Sequence, residues 1–183
     1  DIYPYYQAAL SYGLVKKADK KVELLSNVMK ASADAEFYPE AMFELGRTYV
    51  AKEEDDKAFE CFSRMAEKVK DSTFVARAYI EMGSLSRNQS QYNEALGYYK
   101  TVVEQMAMSG YAEDALAAIE SIYQTRNQPD EYLDYIEAIG KGGIKTDDEK
   151  ESMLFNSAEQ IFLSENYQKA LVSLQSYLDK YPD

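Results

Sequence analysis

A spacing of 37 residues constrains this chain more than any other feature. "DKAFECF" (56–62) places Ala58, Phe59 and Phe62 as "EALGYY" (94–99) places Ala95, Leu96 and Tyr99. The same shift relates Gly46 in "YPEAMFELGRTY" to Gly83 in "ARAYIEMGSLS". Two independent landmarks at one period mean a structural unit used repeatedly.

Extending the register gives five units, about 4–37, 39–74, 76–111, 113–146 and 150–183. In the second half of each, apolar residues recur at helical spacing. One position reads Val22, Phe59, Leu96, Leu133 and Leu171. Three residues on, it reads Leu25, Phe62, Tyr99, Ile136 and Leu174. That is the buried stripe of an amphipathic helix. The first half has its own stripe, opening at Tyr5, Met42, Tyr79, Leu116 and Leu154. Polar stretches such as "AKEEDD" and "LSENYQK" separate the halves. Each unit is therefore helix–turn–helix. Neither helix can bury its stripe alone, so neighbouring units must stack. Four prolines and eight glycines in 183 residues suit an all-α chain.

The landmarks resemble the tetratricopeptide repeat (TPR). The second unit carries Met42, Leu45, Gly46, Tyr49, Ala58 and Phe62; the third carries Tyr79, Met82, Gly83, Tyr92, Ala95 and Tyr99. The fifth carries Leu154, Ala158, Tyr167, Ala170, Leu174 and Pro182. The resemblance implies a right-handed α-solenoid of about five TPR-like repeats, spanning one array from 1 to 183. Small residues at Gly46 and Ala58 are expected to let paired helices approach closely. The fourth unit departs from this, holding Glu120 and Tyr132 at the small positions, so a wider crossing and a Glu120–Tyr132 hydrogen bond are expected there. The first unit also departs, with Lys21 in place of the small residue.

The resemblance further implies a concave face lined by the first helices, and a non-catalytic scaffold that binds a protein or peptide there. The positions that face carries over are Tyr6, Leu10, Phe43, Arg47 and Val50, then Arg77, Ile80, Ser84 and Arg87. Ala117, Ser121 and Gln124 follow, then Phe155, Glu159 and Phe162. Aromatic and aliphatic anchors with arginines that can reach carboxylates suit an extended peptide or a helix. Family members that clamp a C-terminal carboxylate use Lys and Asn positions that this chain matches poorly. A carbohydrate-handling or envelope-assembly module is the alternative. It rests on "FYPEA" and "DKYPD", which resemble Tyr-rich periplasmic repeats, and on off-stripe rings at Tyr6, Tyr98 and Tyr111. The same motifs lean the expected location toward the cell envelope.

Composition narrows the chemistry. With 32 acidic and 20 basic side chains the net charge is −12, which disfavours nucleic acid. No apolar run reaches the ~20 residues of a membrane span. There is no histidine and one cysteine, Cys61, so no catalytic dyad or thiolate cluster is expected, and no cofactor. "KEEDD" (52–56) reads as a solvated turn and helix start, since it lacks the ligand spacing and glycine of a calcium loop. "GKGG" (140–143) lacks a phosphate-loop pattern and reads as a helix end, with Gly140 capping. "NQS" (88–90) is a weak glycosylation match. The register runs out at "YLDKYPD" with no polar closing helix. That leads to the expectation of a piece of a longer array, or of an edge that pairs with another molecule or a second copy.

Overall fold

The computed structural model describes residues 2–182. Among these residues ten α-helices follow one another: α1 (Tyr3–Leu14), α2 (Ala18–Leu25), α3 (Tyr38–Ala51), α4 (Asp55–Lys68), α5 (Ser72–Asn88), α6 (Tyr92–Gln105), α7 (Ala112–Thr125), α8 (Pro129–Ala138), α9 (Asp147–Leu163) and α10 (Tyr167–Lys180). Short 3-10 turns lie at Val28–Lys30, Ala107–Ser109 and Gly142–Ile144. Among the described residues there is no strand. The helices run in consecutive pairs, α1/α2 to α9/α10, with α5 and α9 beginning ahead of the expected unit starts at 76 and 150.

The turn inside every unit is shorter than its polar sequence suggests. It spans 15–17, 52–54, 89–91, 126–128 and 164–166. The middle residue of each is left-handed: Lys16, Glu53, Ser90, Asn127 and Glu165, with φ of 57°, 59°, 60°, 52° and 63°. Their amides donate to the carbonyls three back, at Gly13, Val50, Arg87, Gln124 and Phe162. In the first four turns the next amide reaches five back, to Tyr12, Tyr49, Ser86 and Tyr123. This pair of bonds is the Schellman ending, which satisfies carbonyls that a helix terminus would leave open. Glycine normally takes the left-handed position, and here it takes none of the five.

Helix starts are set locally. Asp71 accepts the Thr73 amide at 2.8 Å ahead of α5. Thr146 and Glu149 form a reciprocal capping box at α9, and Asn166 caps α10. Gly140 (φ 72°) closes α8, as expected of "GKGG".

Contacts divide the chain into two compact units, one up to Ala115 and one from Leu116. The first holds a core built on Leu25, Met42, Leu45, Phe62, Met65 and Met82. Here the glycine landmarks are explained. A Cβ on Gly46 would stand 2.6 Å from the Phe62 ring, and one on Gly83 would stand 2.7 Å from Tyr99. Both lie well inside van der Waals contact, so only glycine lets the buried ring come this close to the facing helix. In the second unit, Ile136 and Tyr132 of α8 are buried, and Ala158 and Ala170 are buried on α9 and α10.

The candidate binding face

In the first unit the expected face residues lie outside the core. Tyr6, Leu10, Phe43, Val50, Arg77, Ile80 and Ser84 are half-buried, while Arg47 and Arg87 are exposed. Two contacts tie α3 to α5. The Arg77 guanidinium stands 3.8 Å from the Phe43 ring centre and 5.4 Å from Phe74. Arg47 donates to Glu81 at 2.8 Å. Cation–π stacking of this kind holds an arginine in place while its edge stays able to donate. Phe43 also leans on the buried Phe62 ring at 5.7 Å, so the face is anchored to the core beneath it.

The electrostatics differ from the sequence expectation. Arg47 is already matched by Glu81, which holds its charge more firmly through a hydrogen bond and a nearby carboxylate. A partner carboxylate would have to compete with that pair. The Tyr6 hydroxyl is pushed up by burial, then by Glu44 and Glu40.

In the second unit, Ser121 is half-buried, and Ala117, Gln124, Phe155, Glu159 and Phe162 are exposed. Phe155 packs on Tyr177 at 5.4 Å and Phe162 on Tyr167 at 5.4 Å.

The rings set aside for sugar stacking are otherwise engaged. Tyr98 sits 5.9 Å from Phe59 and 6.0 Å from Tyr79. Tyr6 stacks 6.1 Å from Phe37. Both serve packing between elements, and Tyr111 is half-buried.

Two clefts occupy the same place in the repeat register, one in each unit. The first, about 430 Å³, lies among Gly13, Lys16, Lys21, Glu44, Arg47 and Thr48. The second, about 260 Å³, lies among Gln124, Asn127, Pro129, Met153, Asn156 and Gln160. One is charged, and the other is rich in side-chain amides. Sequence reading found Arg47 and Gln124 and missed the other lining residues. The signal was available: 13, 16 and 48 map onto 124, 127 and 160 through the repeat.

The two landmark departures prove to be polar contacts. Lys21 runs over Gly13 and donates to Glu44 of α3. Tyr132 is buried near Glu120. Glu120 accepts from Lys145 at 2.8 Å. Burial pushes the Tyr132 hydroxyl up, and the nearby Glu120 pushes it further.

Catalytic features are sparse. Cys61 is fully buried, and desolvation raises its thiol to about 12. Among the described residues, no group of His, Cys, Asp and Glu is arranged to hold a metal. No helix among them is long and apolar enough to cross a membrane.

No family model and no curated protein matches the chain. Solved structures do. YrrB, described as a TPR protein with an unusual peptide-binding site, aligns over 100% of this chain and 88% of its own, at TM-score 0.58 and 20% identity. A kinesin light chain from Podosopora anserina with nearly identical TPR-like repeats covers 100% and 97%, at TM-score 0.56 and 16% identity. The fold is that of a TPR array. MamA from AMB-1 gives TM-score 0.53 at 17% identity, over 98% and 92%.

Proposed function

We propose that this chain is a non-catalytic scaffold that holds a peptide or protein segment on the outward side of its first helices. The observation that carries this reading is the Arg77–Phe43 stack. It joins α3 to α5 beside half-buried apolar groups and exposed arginines, which supports reading them as parts of one face. Such a face offers apolar anchors at its centre and charge at its rim, the pattern of energetically productive interfaces. The peptide-binding site named for YrrB, a protein of the same fold, lends support by analogy. Tyr6, Phe43, Val50 and Ile80 would supply anchors. Arg87 would meet a carboxylate, and Arg47 would do so by exchanging its Glu81 partner.

The test is affinity capture from native cell extract with the chain and with its Arg47→Glu/Arg87→Glu variant. Loss of at least one specific partner by the variant, with its helicity intact, is the expected result. Capture of the same partners in equal amounts by both proteins overturns the assignment of the face.

A further inference from the structure

The amide-rich cleft of the second unit has a cause in the sequence. First helices repeat a small residue followed four positions on by a bulky one. The pairs are Ala41 and Leu45 in α3, Ala78 and Met82 in α5, and Ala115 and Ile119 in α7, all buried. The small residue lets the backbone come close, and the bulky one fills the groove beside it. In α9 the register puts Met153 and Ser157 at these two positions, the reverse order. With serine in the filling position the groove stays open, and Met153 and Ser157 both line the cleft.

The rim of the cleft is ready to bond. Among the described residues, the side chains of Asn127, Asn156, Ser157 and Gln160 have no hydrogen-bond partner. A side-chain amide both donates and accepts, as a peptide group does. Pro129 and Met153 supply an apolar wall. The cleft continues into a second of about 360 Å³, and Met153 and Asn156 line both. From Asp148 to Gln160 the helix rises about 18 Å, which matches about five residues of extended chain. Glu120, Asp148 and Glu149 flank the second cleft against Lys145 alone, and Glu120 already holds that ammonium at 2.8 Å. A carboxylate on the occupant would meet repulsion there.

We propose that this groove takes an extended peptide segment and reads one Leu, Met or Ile side chain of it. That side chain enters over Ser157, the place that α3, α5 and α7 fill from within. Asn127, Asn156 and Gln160 bond the main chain on either side, and segments with Asp or Glu next to the inserted residue are rejected. The inference rests on the reading of this chain as a peptide scaffold and adds the class of residue that is recognised.

The probe is a phage-displayed library of random nonapeptides, selected on the whole chain and counter-selected on its Ser157→Leu variant. Enrichment of peptides that share one Leu, Met or Ile between uncharged residues is expected. A synthetic enriched peptide, followed by fluorescence anisotropy, should bind Ser157→Leu at least about tenfold more weakly, because the new side chain occupies the cleft. The melting temperature of that variant should not fall, since it fills an open space. Asn156→Ala/Gln160→Ala leaves the cleft open and should bind about fivefold more weakly or worse, through lost hydrogen bonds. If Ser157→Leu does not fold, this variant replaces it in the counter-selection. Asp134→Ala, at an exposed position of α8, is the control, with binding changed less than about twofold. No peptide enriched over the counter-selection overturns the proposal, as does enrichment of acidic peptides or unchanged binding by Asn156→Ala/Gln160→Ala. Peptides that bind Ser157→Leu equally and are lost in Arg47→Glu/Arg87→Glu also overturn it, and leave the first-unit face standing.

Discussion

The second and third helix pairs cross through a glycine lying on an aromatic ring; the fourth pair carries a carboxylate and a phenol at its small positions. Gly46 against Phe62 and Gly83 against Tyr99 fill space with carbon alone. At the same register position Glu120 accepts from Lys145 and lies near the buried Tyr132. The helix–turn–helix frame is common to all three. One frame therefore tolerates two ways of holding its pairs together. The first depends on shape, and the second depends on every polar partner being present.

The largest effect should come from removing the ring at a glycine crossing. Phe62→Ala is expected to cost about 3–5 kcal/mol in denaturant unfolding, since Phe62 is fully buried and Gly46 cannot fill the cavity. Gly46→Val alone should cost about 1–3 kcal/mol by overpacking. In the double variant the two costs should fall well short of their sum, because the new methyls occupy the vacated space. Additive costs would mean that the ring and the glycine are not one packing unit.

Glu120→Ala should be next, at about 1–3 kcal/mol, because it strands the Lys145 ammonium and removes the carboxylate beside the buried Tyr132 hydroxyl. Adding Tyr132→Phe should recover part of that loss. If Glu120→Ala costs nothing, the fourth crossing is held by its apolar contacts after all.

Alkaline pH provides a milder probe of the same crossing. Tyr132 is raised in the folded chain, so its neutral form is stabilised there. That contribution is complete below the unfolded tyrosine value of about 10 and is lost as pH climbs through the folded value. Tyr99 and Tyr98 shift in the same direction, chiefly by burial. Stability should therefore fall above about pH 10, and the fall should be shallower in Tyr132→Phe. A thermal-melt series from pH 8 to about 11 reads this directly.

Ser90→Gly should stabilise by about 1 kcal/mol, because a left-handed residue with a Cβ carries strain that glycine lacks. The smallest expected effect is Tyr38→Phe. The Tyr38 hydroxyl is buried with no hydrogen-bond partner, so its removal should be neutral or stabilising by under about 1 kcal/mol.

Much of this architecture was legible in the residues because stacking repeats impose a period on the chain. Gly46 and Gly83 announced close crossings, and the ring positions 16 residues later confirmed them. Even the proximity of Glu120 and Tyr132 followed from two misfits at one crossing. Other features left no local trace. The left-handed turns at Lys16, Glu53, Ser90 and Glu165 lack the glycine that normally marks them, because stacked helices override that preference. Arg47 read as a free cation because its partner, Glu81, is a whole repeat away. Tyr98 lay off the helical stripe, yet rings from two other helices meet it.

The three-residue turns also say where the chain can change length. Every turn within a pair is the same size, locked by its backbone bonds, whereas the connections between pairs span 26–37, 69–71, 106–111 and 139–146. The slip from a 37- to a 38-residue period falls in the last of these. An inserted affinity tag, a protease site or a reporter should be accepted in the longer connections between pairs, ahead of Lys145 in 139–146, and rejected within them.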